Sequence, residues 1–405
     1  MELVNRTPLP ANAFRQYDME GDLDCVVAVR GTFVHRQGEV LALADDQEPF
    51  QWEDAYEGDP HATPLLRQTD LTPGKSGTDA TFLGSAYAPN GEPSRFWDCR
   101  LAVGPIDKRV RVHAEQSWVP QFADRWAGWQ AKKPRRELTG WHLETGHPVR
   151  SVPIDWRLAY GGTVPNTGDE SAGVPADVDE RNPIGRGIVH KPSDPRMLSI
   201  TTEGALPERV PAPRITDPDT PDPDWNDRPV PAGLGPIAPW WRPRSEHVGT
   251  YDAAWRTERH PLLPRDFDAR HWQCAPSDQI ATPHLRGDEA YRLENLHPDL
   301  PIAEGKLPGV TLGVRIEATT ASGSPNGGGS DASMPHDEWV VCDLHGVQFD
   351  WRGEPDEHRV LLTWRARFPL PDAHGVRLTL NRVTFAQETD HGEDDGADRL
   401  PEAAE

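Results

Sequence analysis

The most regular signal along the chain is an alternation of apolar and polar residues with period two. Trp97, Cys99, Leu101 and Val103 fall on one face, with Asp98 and Arg100 on the other, which predicts a half-buried strand. Gly104-Pro105 breaks the run, and Val110 and Val112 then alternate with Arg109, Arg111 and His113. Near the other end of the chain, Leu362, Trp364, Ala366 and Phe368 alternate with Thr363, Arg365 and Arg367, and Val376, Leu378 and Leu380 with Arg377 and Thr379. Short apolar runs add to these. Cys25–Val29 continues through Thr32–Val34, and a turn at Gln37-Gly38 leads to Val40–Leu43, a hairpin signal. Thr81–Ala88 reads as a strand ending at Pro89-Asn90-Gly91-Glu92-Pro93. Val340–Cys342 and Val347–Trp351 read as two strands flanking a turn at His345-Gly346.

Helical periodicity is scarce. Phe122, Trp126 and Trp129 recur at i, i+4 and i+7, which predicts one short amphipathic helix within 114–151. A second helix is expected from Asp252 to Arg259, with Thr250 as N-cap and Pro261 as its stop. Between about 161 and 300 the chain is dense in Pro, Gly and Asp, and Thr216–Asp224, with a Pro at every second or third place, fits neither a helix nor a central strand. The pattern therefore predicts a mainly β protein: an antiparallel β-sandwich built from N- and C-terminal strands, with a long irregular middle and few short helices. We read residues 1–387 as one domain, strand-rich over 1–160, irregular over 161–300 and strand-rich again over 301–387, with a flexible segment at 319–333. Residues 388–405 read as an acidic, disordered tail.

Composition sharpens this picture. Of 405 residues, 42 are Pro and 35 Gly, which disfavours a helical bundle, while 15 Trp argue against wholesale disorder. The formal net charge of −23 lacks the basic footprint that nucleic acid or an anionic membrane requires. It favours a basic partner electrostatically, although solubility alone also accounts for it. Cys25, Cys99, Cys274 and Cys342 are too far apart for a CxxC pair. The first residues have no apolar signal core, and no apolar run is long enough to span a bilayer, so a cytoplasmic protein with reduced thiols is expected.

Chemical motifs fail on context. Gly74-Lys75-Ser76 resembles the end of a phosphate-binding loop, but Thr69 stands where the first Gly belongs and a strand, not a helix, should follow. Gly233-Leu234-Gly235-Pro236-Ile237-Ala238 fits GxGxxA, yet prolines interrupt both flanks. His113-Ala114-Glu115 and His142-Leu143-Glu144 lack the PCxxC of zinc deaminases. Asp343 and His345 share a strand face at i, i+2 and offer metal-ligand chemistry, but an isolated pair beside a turn is usually ordinary surface. The acidic run 217–224 lacks the Gly and closing Glu of an EF-hand loop. There is no GxSxG elbow. No catalytic residue, cofactor site or metal site is assigned. The tryptophans suit core filling first, a protein interface second and sugar stacking third. Trp240, Trp241, Tyr251 and Trp255 are expected near one another, as core or as a partner-binding surface.

Several blocks resemble, in order, those of a domain-of-unknown-function family found in type VI secretion gene clusters of Gram-negative bacteria. They are Val4–Pro8, Val29-Arg30-Gly31-Thr32-Phe33, Asp79 through Ala88-Pro89, Arg181–Gly187, Arg228–Ile237, Gly249-Thr250-Tyr251-Asp252 with Trp255, Leu263–Asp268, Ala275–Gln279 and Trp364-Arg365-Ala366. Tyr160-Gly161-Gly162 and Leu206-Pro207-Glu208-Arg209 depart from the family pattern in detail. The resemblance implies a cytoplasmic adaptor or chaperone, without cofactor, that holds an effector and helps load it onto the VgrG spike, often with a PAAR tip. The family brings no established catalytic residues, so none is transferred. The alternatives are a β-sandwich hydrolase or a carbohydrate-binding module using Trp-lined surface.

Overall fold

The computed structural model describes residues 1–126, 135–164, 177–189, 208–220, 224–319, 339–370 and 375–383. In chain order the principal strands are β1 (Glu2–Asn5), β2 (Ala11–Tyr17), β3 (Leu23–Val34), β4 (Thr78–Leu83), β5 (Phe96–Val103), β6 (Ile106–His113), β7 (Gln116–Arg125) and β8 (Arg135–Thr145). After the irregular middle come β9 (Ala290–Glu294), β10 (Ile302–Lys306), β11 (Leu312–Thr319), β12 (Asp343–Asp350), β13 (Arg359–Pro369) and β14 (Gly375–Arg382). The expectation of a mainly β fold holds.

The main sheet runs β2-β3-β13-β12-β4 and is closed at the β4 edge by Ile280–Ala281, while Ala42–Leu43 folds back on the end of β3 as the hairpin signal predicts. N- and C-terminal strands are thus interleaved, with β3 paired along its length to β13. One correction concerns direction: β4 lies parallel to β12, and in another sheet β1 lies parallel to β14, so the architecture is mixed rather than purely antiparallel. β4 is buried throughout, as is β3 from Asp24 to Phe33, which is why they read as apolar runs and not as alternations. A second sheet orders Ile215–Thr216, β6, β5, β9 and β10, and a third orders β1, β14, β11 and Trp339–Val341. One hydrophobic cluster joins all three, with Val27, Phe82, Phe349 and Trp364 from the main sheet, Leu101, Val110 and Leu293 from the second, and Val314 and Leu378 from the third.

Other expectations need correcting. The segment containing Phe122 is strand β7, paired to β8 in a hairpin, and not a helix. Trp118, Leu138 and Trp141 of this hairpin form a separate small core with Val189 and Ala212. Trp129 lies outside the described residues, as do 320–338, most of the segment read as flexible, and the acidic tail. His345-Gly346 is not a turn but a bulge within β12, where the pairing with β13 slips by one residue. β9, within the stretch read as irregular, supplies an inner strand of the second sheet. The helix predicted near 252–259 is present as α1 (Ala253–Glu258), but Asp252 caps it, accepting from the Trp255 N–H, and Thr250 instead bonds Asp266.

Where the main and second sheets meet, three histidines surround Trp351. The His358 ring stacks on Trp351 at 5.3 Å, His297 meets both edge-on, and His35 Nδ1 lies 2.6 Å from the Tyr291 hydroxyl. Burial lowers the pKa of all three.

Candidate functional site

The chemically densest region lies against β3, β13 and β4, where charged side chains are drawn inside the fold. Arg30 on β3 donates from Nε and Nη2 to the two Asp70 carboxylate oxygens at 2.8 and 2.9 Å, with both residues 3% exposed or less. Arg365 on β13, also 3% exposed, donates to the Asp70 carbonyl at 3.3 Å, and its Nε and Nη1 find no partner among the described residues. Planar guanidinium forks suit such shared carboxylates. A few residues on, Lys75 Nζ lies 2.5 Å from Asp79 Oδ2, an oxygen that also accepts from the Cys274 N–H at 2.9 Å. A cavity of about 50 Å³ is lined by Arg30, Lys75, Asp79, Cys274, Thr363 and Arg365.

Chemically this centre is a lock more than a reactive pocket. The Cys274 thiol is pushed up to about 11 by burial, so at neutral pH it stays protonated and is a poor nucleophile. Cys25, Cys99 and Cys342 are likewise buried free thiols. Gly74-Lys75-Ser76, the phosphate-loop lookalike, leads into β4 with no helix after it, and its Lys75 is engaged with Asp79. Gly233–Ala238 has neither strand nor helix, and Gly233 is instead needed because a Cβ there would stand 2.8 Å from the Trp156 ring.

The four aromatics singled out from the sequence fall into two pairs. Trp241 is fully buried between Trp156 and Trp240, edge-to-face with each. Tyr251 packs edge-to-face on Trp255 at 4.6 Å and keeps 49% of its surface open, while Trp255 Nε1 donates to the Leu262 carbonyl. No ring contact links the pairs among the described residues. Asp343 and His345 are joined by a residue the sequence did not suggest, His284, whose ring stacks on His345. Local sequence held no signal for this, because only the pairing of distant segments brings His284 there. Arg30, Asp70, Lys75 and Asp79 were also missed as a group. Arg30, Asp79 and Arg365 lie inside the family blocks, which was the one available clue.

Fold and centre together define a strand-built scaffold with an ionic lock between its main sheet and an irregular layer. The chain belongs to the family DUF2169, described as an uncharacterized protein conserved in bacteria, which it matches over residues 20–365. The family names no activity. No curated protein and no solved structure matches the chain. No helix among the described residues is long and apolar enough to cross a membrane.

Proposed function

We propose that the protein is a non-enzymatic, cytoplasmic adaptor that binds a type VI secretion effector and helps load it onto the VgrG/PAAR spike. One observation carries the reading: several of the blocks that resemble the adaptor family are tied by hydrogen bonds to one another, to the main sheet and to the chain beside them. Asn182 donates to the Trp156 and Tyr160 carbonyls. Thr250 Oγ1 donates to Asp266 at 2.7 Å, tying two blocks. Gln279 Nε2 donates to Ala80 on β4 and to Leu234 in a third block. Arg30 and Arg365, from the second and last blocks, share Asp70. The distinctive residues thus fix a long irregular layer instead of building a reactive cleft. A surface held rigid in this way loses little entropy on binding, which suits a docking protein.

Of the four candidate aromatics, Tyr251 has the most open surface and is assigned to the effector contact, with Trp255 behind it and Trp240 and Trp241 holding the layer. Co-expression with the effector encoded beside it tests the reading. The two proteins should co-purify, and deletion of the adaptor should abolish effector secretion. Tyr251→Ala should reduce the effector recovered while leaving the thermal midpoint unchanged. An effector that stays soluble and is secreted normally without this protein overturns the proposal.

A further inference from the structure

His284, Asp343 and His345 each offer a metal-ligand atom, and these atoms all lie within 4.8 Å of one another. We infer that the three residues form a binding site for a zinc-class divalent cation. The backbone builds the site. An antiparallel bridge between Leu285 and Leu344 sets His284 opposite His345, and the two rings stack with centroids 4.8 Å apart and planes 8° from parallel. The bulge in β12 falls at His345, which therefore has no directly paired residue on β13, and both it and Leu344 are buried. His345 is 4% exposed, and its buried Nδ1 has no hydrogen-bond partner among the described residues. A buried, unpartnered imidazole nitrogen is costly, and a cation would satisfy it.

The second histidine is already held as a ligand would be. His284 Nε2 lies 3.0 Å from the Lys75 carbonyl oxygen. A carbonyl only accepts, so Nε2 carries the proton and Nδ1 keeps its lone pair. A backbone carbonyl in this position is a common outer support of a metal-binding histidine. Asp343, exposed beside them, adds the anionic oxygen. Two imidazoles and a carboxylate form a donor set that zinc accepts, whereas calcium and magnesium call for oxygen-rich cages. Of the neighbouring cations, Lys75 is paired with Asp79 and Arg30 with Asp70, and Arg365 lies 4.0 Å from Asp70.

Three protein ligands would leave a fourth position. Asp343 and His345 line a groove of about 550 Å³ together with Tyr17, Lys75, Trp272 and Arg365, from which water or a side chain of a bound protein would complete the shell. The cation would clip the segment after Ile280–Ala281 to β12.

The test is zinc titration of the chelator-stripped full chain, with bound metal measured after dialysis and thermal melting followed with and without zinc. One zinc per chain and a raised midpoint are expected. His284→Gln and Asp343→Asn, both at positions with solvent access, should weaken zinc binding about tenfold or more and remove the zinc-induced rise above each variant's own metal-free midpoint. The inference is overturned if the wild type retains no zinc, or if the double variant His284→Gln, Asp343→Asn retains as much as the wild type.

Discussion

Asp70 carries more of the interior than any neighbouring side chain: it holds Arg30 through both carboxylate oxygens, faces Arg365 and accepts from the Gln51 N–H at 2.8 Å. Removing its charge strands two buried guanidinium groups. Asp70→Asn should therefore cost about 3–5 kcal/mol, seen as a lower urea midpoint at constant slope. Arg365→Met should behave differently, because Arg365 already has unpartnered nitrogens. Its loss should leave stability within about 1 kcal/mol of wild type or raise it. Equal damage from both variants would contradict the described charge arrangement. Gly161 gives a second, independent prediction. Its φ is +140°, and a Cβ there would stand 2.2 Å from the Asn182 carbonyl oxygen. Gly161→Ala should thus destabilise by at least about 1–3 kcal/mol, measured by the same unfolding curves. Tyr160, the residue at which the chain departs from the family pattern, is buried, and Tyr160–Gly161 pairs in parallel with Arg186–Gly187. Arg365 itself illustrates what alternation hides. It read as the outward partner of Trp364, but β13 has strands on both edges and is covered on both faces, so Leu361 and Arg365 are as buried as Leu362 and Trp364.

Hairpin β7–β8 rests on its own small core, apart from the cluster uniting the three main sheets. Its backbone should open without global unfolding, so hydrogen exchange should be faster at Trp118, Phe122 and Trp141 than at Val27, Phe82 and Leu362. Uniform protection across both sets would refute the separation. The same hairpin explains a misreading of the sequence. A spacing of four residues is shared by helix and strand, since it is one turn in the former and two alternations in the latter, and Phe122 and Trp126 could not distinguish them. Strands with one solvated face, such as β5, were legible from their alternation, and β3 from its apolar run and hairpin turn. Pairing partners were not legible. The parallel contact of β4 with β12 and the bridge that carries His284 to His345 depend on segments far apart in sequence. The bulge was missed for a related reason: His345-Gly346 carries turn-like residues, and nothing local says that the strand resumes with shifted register. Two of the three members of the candidate metal site were therefore readable as an i, i+2 pair, while the third was supplied by tertiary pairing alone.

At the scale of the molecule, the histidines around Trp351 tie stability to pH. Their pKa values in the folded state lie below the ordinary 6.5, with burial the main cause; Asp299 and Asp350 oppose this only in part. The unfolded chain then binds more protons than the folded one as pH falls below about 6.5, so stability should decline from there toward pH 5. Thermal midpoints across this range should show the fall, and His358→Asn should flatten it. A midpoint that rises on acidification would reverse the assigned sign. The interleaving of the main sheet has a consequence of another kind, in how the chain is made. Asp24 and Arg367, side by side in the folded sheet, are 343 residues apart in sequence. The ribosome must deliver those 343 residues before β3 can meet β13, and until then the apolar Cys25–Val29 run lacks its central neighbour. Such late closure slows folding and lengthens the exposure of sticky nascent segments. Production of this protein should accordingly respond more to chaperone supply and slower translation than its compact final state suggests.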